Sequence, residues 1–132
     1  MSEEKRVPQG DLSIRVLAMP SDTNPAGDIF GGWVLSQMDI AGGLVTAKVC
    51  KGRTVTIAIE SMTFHKPVLV GDTLCCYVEV TRKGNTSITV KIESWAKRQF
   101  QDNRELVTEG LFTYVAVTKD RIPRPIDSKY QN

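Results

Sequence analysis

The stretch Gly31–Cys50, GGWVLSQMDIAGGLVTAKVC, decides the fold of this chain. Its apolar residues recur at spacings of three and four, which predicts an α-helix, and Gly52 follows as a natural stop signal. The stretch carries only two charged residues, Asp39 and Lys48. Because a helix on a protein surface is charged along its outer face, we expect this helix to be covered by other structure on most sides.

The chain after this helix changes to a period of two, which is typical of β-strands. Segments rich in Val, Ile and Thr lie at 55–59, 74–80, 88–92 and 111–117. Turn sequences separate them at 67–72, 83–85 and 101–103. A further alternating segment, 12–18, precedes the helix. Because one helix followed by consecutive strands cannot form βαβ crossovers, we predict an α+β fold with a mainly antiparallel sheet around one long helix.

Length and charge limit the kind of protein. The chain has 132 residues and a net charge of +2, which predicts one domain over 1–132, with an ordered core at about 8–118 and an extended or disordered tail at 119–132. The balanced charge does not favour a nucleic-acid or membrane-surface partner. No apolar run has the length of a signal region or a membrane span. We therefore expect a cytoplasmic protein without nucleic-acid or membrane partners.

The cysteines and the histidine do not indicate a metal site. Cys50, Cys75 and Cys76 are odd in number, and adjacent residues of a strand point to opposite faces, so we expect small core residues rather than disulfides or zinc ligands. His65 is the only histidine, which excludes a His-based triad or a multi-histidine metal site within one chain. We expect His65 to be a partly exposed edge residue.

Asp39 is a carboxylate inside an otherwise apolar helix. Burying a carboxylate costs several kcal/mol unless it is paired or hydrogen-bonded. Its helical neighbours three and four residues away include no cation, and two of them, Gly42 and Gly43, leave space for a ligand or another backbone. We interpret Asp39 as a catalytic residue. The alternative is that Asp39 caps or pairs with a neighbouring strand while the glycines allow close helix packing.

The segment 22–32, DTNPAGDIFGG, brings polar groups and bare backbone amides to the start of the helix. The Asn24 amide can donate and accept, which suits a group that orients water or a substrate carbonyl, although it is also a common turn residue. Gly31 and Gly32 leave N–H groups unhindered, which suits a developing oxyanion. A tight turn into the helix is their other role, and both roles can hold at once.

The turn sequence 83–87, KGNTS, contains the groups of a phosphate contact. Lys83 supplies a cation, Gly84 a flexible backbone, and Thr86 and Ser87 supply hydroxyls. The same sequence is typical of an ordinary hairpin turn.

Together, several motifs resemble the hotdog-fold acyl-CoA thioesterases, specifically the bacterial YciA-type acyl-CoA hydrolases and their eukaryotic cytosolic relatives. The matching motifs lie at 17–20, 22–39, 55–56, 60–62 and 67–72. The segment 22–39 is specific, whereas the strand motifs are weak by themselves. The resemblance spans about residues 8–118 and implies a hotdog fold, in which an antiparallel sheet wraps around one central helix.

The resemblance implies hydrolysis of an acyl-CoA to a free carboxylic acid and CoA. The roles of the family's helix aspartate and loop asparagine fall on Asp39 and Asn24, which would act together across a dimer interface. Asp39 would be the general base or, alternatively, the nucleophile, and a Gly31 or Gly32 amide would polarise the carbonyl. A homodimer is the minimum unit implied, and a homohexamer made of three dimers is the expected assembly. No cofactor is expected, because CoA is part of the substrate and product.

CoA contacts are assigned to Arg53 and to the Lys83, Gly84, Thr86 and Ser87 turn, since a net charge of +2 supplies little general attraction for a polyanion. The helix rises roughly 10 Å between Gly32 and Asp39, so both can serve one carbonyl only if the first residues are not helical or the donor comes from another subunit. We therefore expect a composite site.

Two other functions are compatible with such a fold. A hotdog hydratase or dehydratase would use a histidine and acid pair, but His65 lies far from the loop in sequence. A non-catalytic acyl-CoA-binding regulator would usually carry an added DNA-binding module, and the single domain uses nearly every residue.

Overall fold

The computed structural model describes residues 6–127. The elements follow in the order β1 (Asp11–Leu17), a short 3-10 turn (Pro20–Asp22), α1 (Gly31–Cys50), β2 (Thr54–Phe64), β3 (Thr73–Lys83), β4 (Ser87–Lys97) and β5 (Arg104–Ala116). The described strands form one sheet in the order β1-β3-β4-β5-β2, and all neighbouring strands are antiparallel. The predicted α+β architecture and the helix at Gly31–Cys50 are confirmed.

Within residues 6–127 no helix has the length and apolar character that crossing a membrane requires.

The hydrophobic core lies between α1 and one face of the sheet. Val34, Met38 and Ala41 follow the helical spacing and are buried on the inner side of α1. Alternate residues of the strands pack against them, as period-two burial over the first six residues of β4 shows. Each large apolar side chain buried in this way stabilises the fold by about 1.5–3 kcal/mol. The three cysteines are free and buried, which confirms their prediction as core residues.

The C-terminal end of α1 is held by the chain that follows it. The helix ends at Cys50, Lys51 adopts the left-handed conformation, and the Gly52 N–H donates to the Ala47 carbonyl at 3.0 Å. Gly52 thus lies in the cap, one residue beyond the left-handed position. The buried Arg124 donates from Nη2 to the Cys50 carbonyl at 2.6 Å.

The described part of the predicted tail therefore packs against the domain. Besides the contact of Arg124 with α1, the Ile126 N–H donates to the Asn85 carbonyl at 2.8 Å. The rest of the predicted tail, 128–132, lies outside the described residues.

The edge strand β2 and one stripe of α1 expose large apolar side chains. The edge strand β2 exposes Val55, Ile57 and Ile59 by 38%, 57% and 38%, and α1 exposes Ile40 and Leu44 by 51% and 56%. A single chain therefore covers α1 on most sides, as expected, but leaves open the stripe that includes Ile40 and Leu44. A long apolar edge strand with unpaired backbone groups is a template for pairing with another chain.

Candidate active site

Asp39 lies half-buried in the middle of α1 and is hydrogen-bonded to the sheet. Its Oδ1 atom accepts from Thr56 Oγ1 at 2.7 Å and from Tyr114 Oη at 2.9 Å. Tyr114 Oη also lies 3.0 Å from the Asp39 backbone carbonyl oxygen. Within residues 6–127 no protein group donates to Oδ2. One oxygen of the carboxylate is thus fixed and the other is left for a ligand.

The two hydroxyl donors converge because Thr56 on β2 and Tyr114 on β5 are register partners. Side chains of directly paired residues lie on the same face of a sheet, here the face that α1 covers. The register shifts between Thr56 and Ala58, and such a bulge re-aims the side chains beside it. Sequence reasoning missed both donors. A buried carboxylate needs a hydrogen-bonding partner. The hydroxyl side chains on the strands expected to cover the helix were the candidates for that partner.

Gly42 allows Tyr114 to approach the helix. A Cβ atom at Gly42 would clash with Tyr114 Oη and would lie 2.7 Å from Ile92 Cδ1, whereas one at Gly43 would meet Tyr114 Cε2 at an ordinary 4.0 Å. The expectation that Gly42 opens space for a ligand or another backbone is therefore wrong, because a tyrosine side chain fills that space. Pairing of Asp39 with strands and close packing at a glycine, the alternative interpretation, are both present.

The phenol of Tyr114 remains protonated in this environment. Burial raises its pKa, and the adjacent Asp39 carboxylate raises the pKa further, well above its usual range. Tyr114 therefore acts as a hydrogen-bond donor to Asp39 at any pH at which the protein works.

Asn24 lies in the loop before α1 and bonds its own backbone. Its Oδ1 atom accepts from the N–H groups of Ala26 and Asp28 at 3.0 and 3.1 Å, which is an Asx turn. Its side-chain nitrogen donates to no group within residues 6–127. Asn24 and Asp39 make no contact in the described part of the chain, so the structure of one chain does not bring them together.

Gly31 and Gly32 present free amides at the helix N-terminus. The helix begins at Gly31, and the next two N–H groups, of Trp33 and Val34, donate to the Phe30 carbonyl at 3.1 and 3.2 Å. A Cβ atom at Gly32 would meet nothing within 4 Å. Since α1 is helical from Gly31 onward, these amides lie roughly 10 Å along the axis from Asp39 of the same chain.

A cavity of about 250 Å³ lies beside these amides. Its apolar lining residues are Ile29, Gly31, Val34, Phe64, Pro67 and Val68.

The residues predicted to contact CoA gather at the other end of α1. Ser87 pairs with Val115 and Thr54 pairs with Ala116, so the start of β2 and the turn 83–87 flank the same end of β5. Arg53 and Lys83 are exposed, and within residues 6–127 neither makes an ion pair. Arg53 lies roughly 10 Å along β2 from Thr56.

Within the 83–87 turn, the Gly84 N–H donates to the Ser87 carbonyl at 2.7 Å, and the Thr86 carbonyl accepts from Ala116 at 2.9 Å. These bonds support the hairpin and leave the hydroxyl of Thr86 without a protein partner in the described chain.

His65 lies at an exposed end of the sheet, as predicted, with Nε2 2.7 Å from Glu109 Oε2. Glu109 is also bound by Arg6 at 3.0 Å.

Comparisons with known proteins agree on one family. The family model of the thioesterase superfamily matches residues 26–99, more than half of the chain. The chain is 50% identical over 129 residues to the acyl-CoA thioester hydrolase YciA of Escherichia coli (strain K12), covering 96% of this chain and 98% of that protein.

Two solved structures are similar over nearly the whole chain. The hexameric thioesterase y2039 from Yersinia pestis has a TM-score of 0.89 at 49% identity and covers 93% of this chain and 100% of its own. The hexameric broad specificity acyl-coenzyme A thioesterase HI0827, in an aspartate-to-alanine variant, has a TM-score of 0.88 at 45% identity and covers 92% of this chain and 89% of its own.

Proposed function

The chain belongs to the thioesterase superfamily and is an acyl-CoA thioesterase with the hotdog fold, and from this premise we propose that Asp39 is its general base and that Asn24 of a second copy completes the site. The observation that carries the proposal is the Asp39 carboxylate, whose Oδ1 atom is held by Thr56 and Tyr114 while Oδ2 has no donor within residues 6–127. One of the similar solved structures, that of HI0827, carries an aspartate-to-alanine substitution. This substitution agrees with a role for an aspartate in that enzyme.

In the proposed mechanism, Asp39 Oδ2 takes a proton from a water molecule as the water oxygen attacks the thioester carbonyl carbon. The resulting tetrahedral oxyanion collapses, the C–S bond breaks, and the CoA thiolate leaves and takes up the proton that Asp39 holds, which restores the carboxylate. General base catalysis of this kind contributes roughly 100-fold to 10,000-fold to the rate. No cofactor takes part, because CoA enters and leaves within the substrate and product.

The oxyanion requires free donors, and the two donors beside Asp39, Thr56 and Tyr114, are already bonded to its Oδ1 atom. We assign this role to a Gly31 or Gly32 amide and a positioning role to the free side-chain nitrogen of Asn24, both from the partner subunit. Two observations support this assignment. The glycine amides lie at the N-terminus of a continuous helix, roughly 10 Å along its axis from Asp39, and neither these amides nor the Asn24 side-chain nitrogen donates to a group within residues 6–127.

The second copy would dock on the uncovered apolar face. Ile40 and Leu44 on α1 and Ile57 on the open edge strand β2 are exposed and apolar, and a two-fold pairing would let such groups pack against those of a second copy. We therefore propose a homodimer as the minimum unit. Because y2039 and HI0827 are hexameric, we extend the proposal to a hexamer of three dimers.

CoA would be held by local charge. Arg53 and Lys83 are exposed cations without an ion-pair partner in the described residues, and the Gly84, Thr86 and Ser87 turn lies beside them. Phosphate groups bind well to such charge-assisted donors. We propose this end of the sheet as the CoA contact.

Mixed dimers test the composite site. Asn24→Ala and Asp39→Asn homodimers should both be nearly inactive, whereas a mixed dimer has one intact site and one doubly damaged site. Random co-refolding makes about half of the dimers mixed, so roughly a quarter of the parental CoA release should return if the sites are independent.

Co-refolding Asp39→Asn with Asp39→Ala is the control, since both chains then carry the same defect and no activity should return. If Asn24→Ala and Asp39→Asn recover nothing although subunit exchange is verified by mass spectrometry, the two residues do not complement each other between chains and the composite site is wrong.

A further inference from the structure

We infer that Tyr114 is a positioning residue for Asp39, seated in a notch that Gly42 leaves in α1. The inference rests on the proposed role of Asp39 as general base. Tyr114 is 1% exposed, and its Oη atom lies 2.9 Å from Asp39 Oδ1. It touches the carboxylate oxygen that the mechanism does not use, so it acts through Asp39 and not on the substrate.

A carboxylate can exchange its two oxygens by rotating about the Cβ–Cγ bond. Donors on Oδ1 favour a single orientation, in which Oδ2 faces the water molecule. Of the two donors, Thr56 lies on the edge strand β2, whereas Tyr114 lies on β5, which is paired on both sides by β4 and β2. Tyr114 is therefore the donor held by the more rigid element, and catalytic groups need such support to keep their geometry.

Gly42 is the helix residue that this contact requires. A side chain at position 42 would clash with Tyr114 Oη and would lie 2.7 Å from Ile92 Cδ1 on β4. Glycine is a poor helix former, yet only glycine lets the phenol approach α1 closely enough to reach both the carboxylate and the backbone carbonyl of Asp39.

The groups that face Asp39 are Thr56 from β2 and Tyr114 from β5, both uncharged, and no ion pair of Asp39 exists within residues 6–127. Burial and the carboxylate raise the pKa of the phenol, so its proton stays available. The phenol therefore remains a donor to Asp39 Oδ1.

Tyr114→Phe tests the inference, because it keeps the buried ring and removes only the hydroxyl. We expect kcat at the plateau of the pH profile to fall roughly 10-fold, as for loss of a hydrogen bond to a charged group. We also expect KM to change little, because Tyr114 does not touch the substrate. A parental kcat would show that the hydroxyl serves only the fold and would overturn the inference.

Tyr77→Phe is the matched control. Tyr77 also loses a hydrogen bond, from Arg104 Nη1 at 3.2 Å, but it lies apart from Asp39, so its kcat should match that of the parent enzyme. Gly42→Ala should lower kcat as Tyr114→Phe does, with KM little changed, and the two changes together should cost less than the sum of their separate effects.

The outcome separates this inference from the proposed function. If Asp39→Asn retains activity, the general base is wrong. If Asp39→Asn is inactive while Tyr114→Phe keeps the parental kcat, only the role of Tyr114 fails.

Discussion

Asp39 and Asp72 are both carboxylates at the boundary of the core, but the chain surrounds them differently. Asp72 is 2% exposed, and its Oδ2 atom accepts from the Leu69 N–H at 2.8 Å and from Arg98 Nη1. Asp39 is half-buried and receives two neutral hydroxyls on one oxygen. The Arg98 guanidinium neutralises the Asp72 carboxylate, so this charge stabilises the fold. The donors to Asp39 are neutral and bind one oxygen, so the lone pairs of the other oxygen remain available for chemistry.

The turn at 67–72 explains why Asp72 is built this way. Gly71 has φ +92, and Arg98 Nη1 also donates to the Pro67 carbonyl at 3.1 Å. Arg98 thus joins the turn to the end of β4. Within residues 6–127 no cation binds Asp39 in this way, which agrees with a site that a second copy and a substrate complete.

The contrast between Asp39 and Asp72 is tested most strongly by Asp39→Asn. The change keeps the shape of the side chain and removes the base, so turnover should fall at least about 100-fold. The melting temperature should stay the same or rise, since an unfavourably placed charge is lost. Steady-state CoA release from a panel of acyl-CoAs, followed with a thiol reagent, and thermal melts measure both effects. Near-normal hydrolysis would refute the mechanism.

Asp72→Asn should give the opposite pattern. It leaves the Arg98 guanidinium, whose side chain is 14% exposed, without its buried partner, and breaking such a pair costs about 3 kcal/mol or more. We expect a lower midpoint in urea unfolding and parental kcat for the protein that remains folded. A strong loss of kcat with unchanged stability would mean that the two aspartates are not divided between fold and chemistry.

The cations divide in the same way, and single alanine substitutions test this. Arg98 binds both Asp72 and Glu105, whereas Arg53 and Lys83 are free to meet a ligand in the described chain. Arg53→Ala and Lys83→Ala should therefore raise KM for acyl-CoA roughly 10-fold, with a smaller effect on kcat. Lys97→Ala, an exposed cation on β4, is a control of equal charge. Parental CoA affinity in both variants would place the nucleotide elsewhere.

The smallest effect concerns Glu105, which binds Arg98 from the exposed side. Hydrogen bonds from Lys66 and then Arg98 hold the pKa of Glu105 below its ordinary value of 4.5. A depressed pKa stabilises the fold above that value, and the contribution is lost as the pH falls through the folded-state pKa. Glu105→Gln should thus be less stable than the parent at pH 7 by less than about 1 kcal/mol.

This difference should shrink below about pH 4.5, as urea unfolding at a series of pH values would show. A difference that does not change with pH would exclude the ion pairs of Glu105 as its cause.

Local sequence patterns predict the helix and the strands, whereas contacts between residues distant in the sequence determine the geometry of the site. The helix bounds follow from spacing and from the glycines at each end, so they can be derived from the sequence. Thr56 and Tyr114 are brought together by the register of β2 and β5 and by a bulge after Thr56. No local sequence pattern predicts this bulge.

On β5 both alternating sets are largely apolar. Phe112, Tyr114 and Ala116 are buried, and Leu111, Thr113 and Val115 are only partly exposed. The period indicates a strand but not which set faces α1, so the contact between Tyr114 and Asp39 was not predictable. The partner of Asn24 is also beyond sequence reasoning on one chain, since it depends on how two copies meet.

Because the edge of β2 is uncovered in a single chain, the stability of this protein should depend on its concentration. If the apolar face is buried only in the assembly, dissociation exposes it to water, and folding and association share one equilibrium. The midpoint of thermal unfolding should then rise with protein concentration. Dilution toward the dissociation constant should weaken the fold and the composite site together.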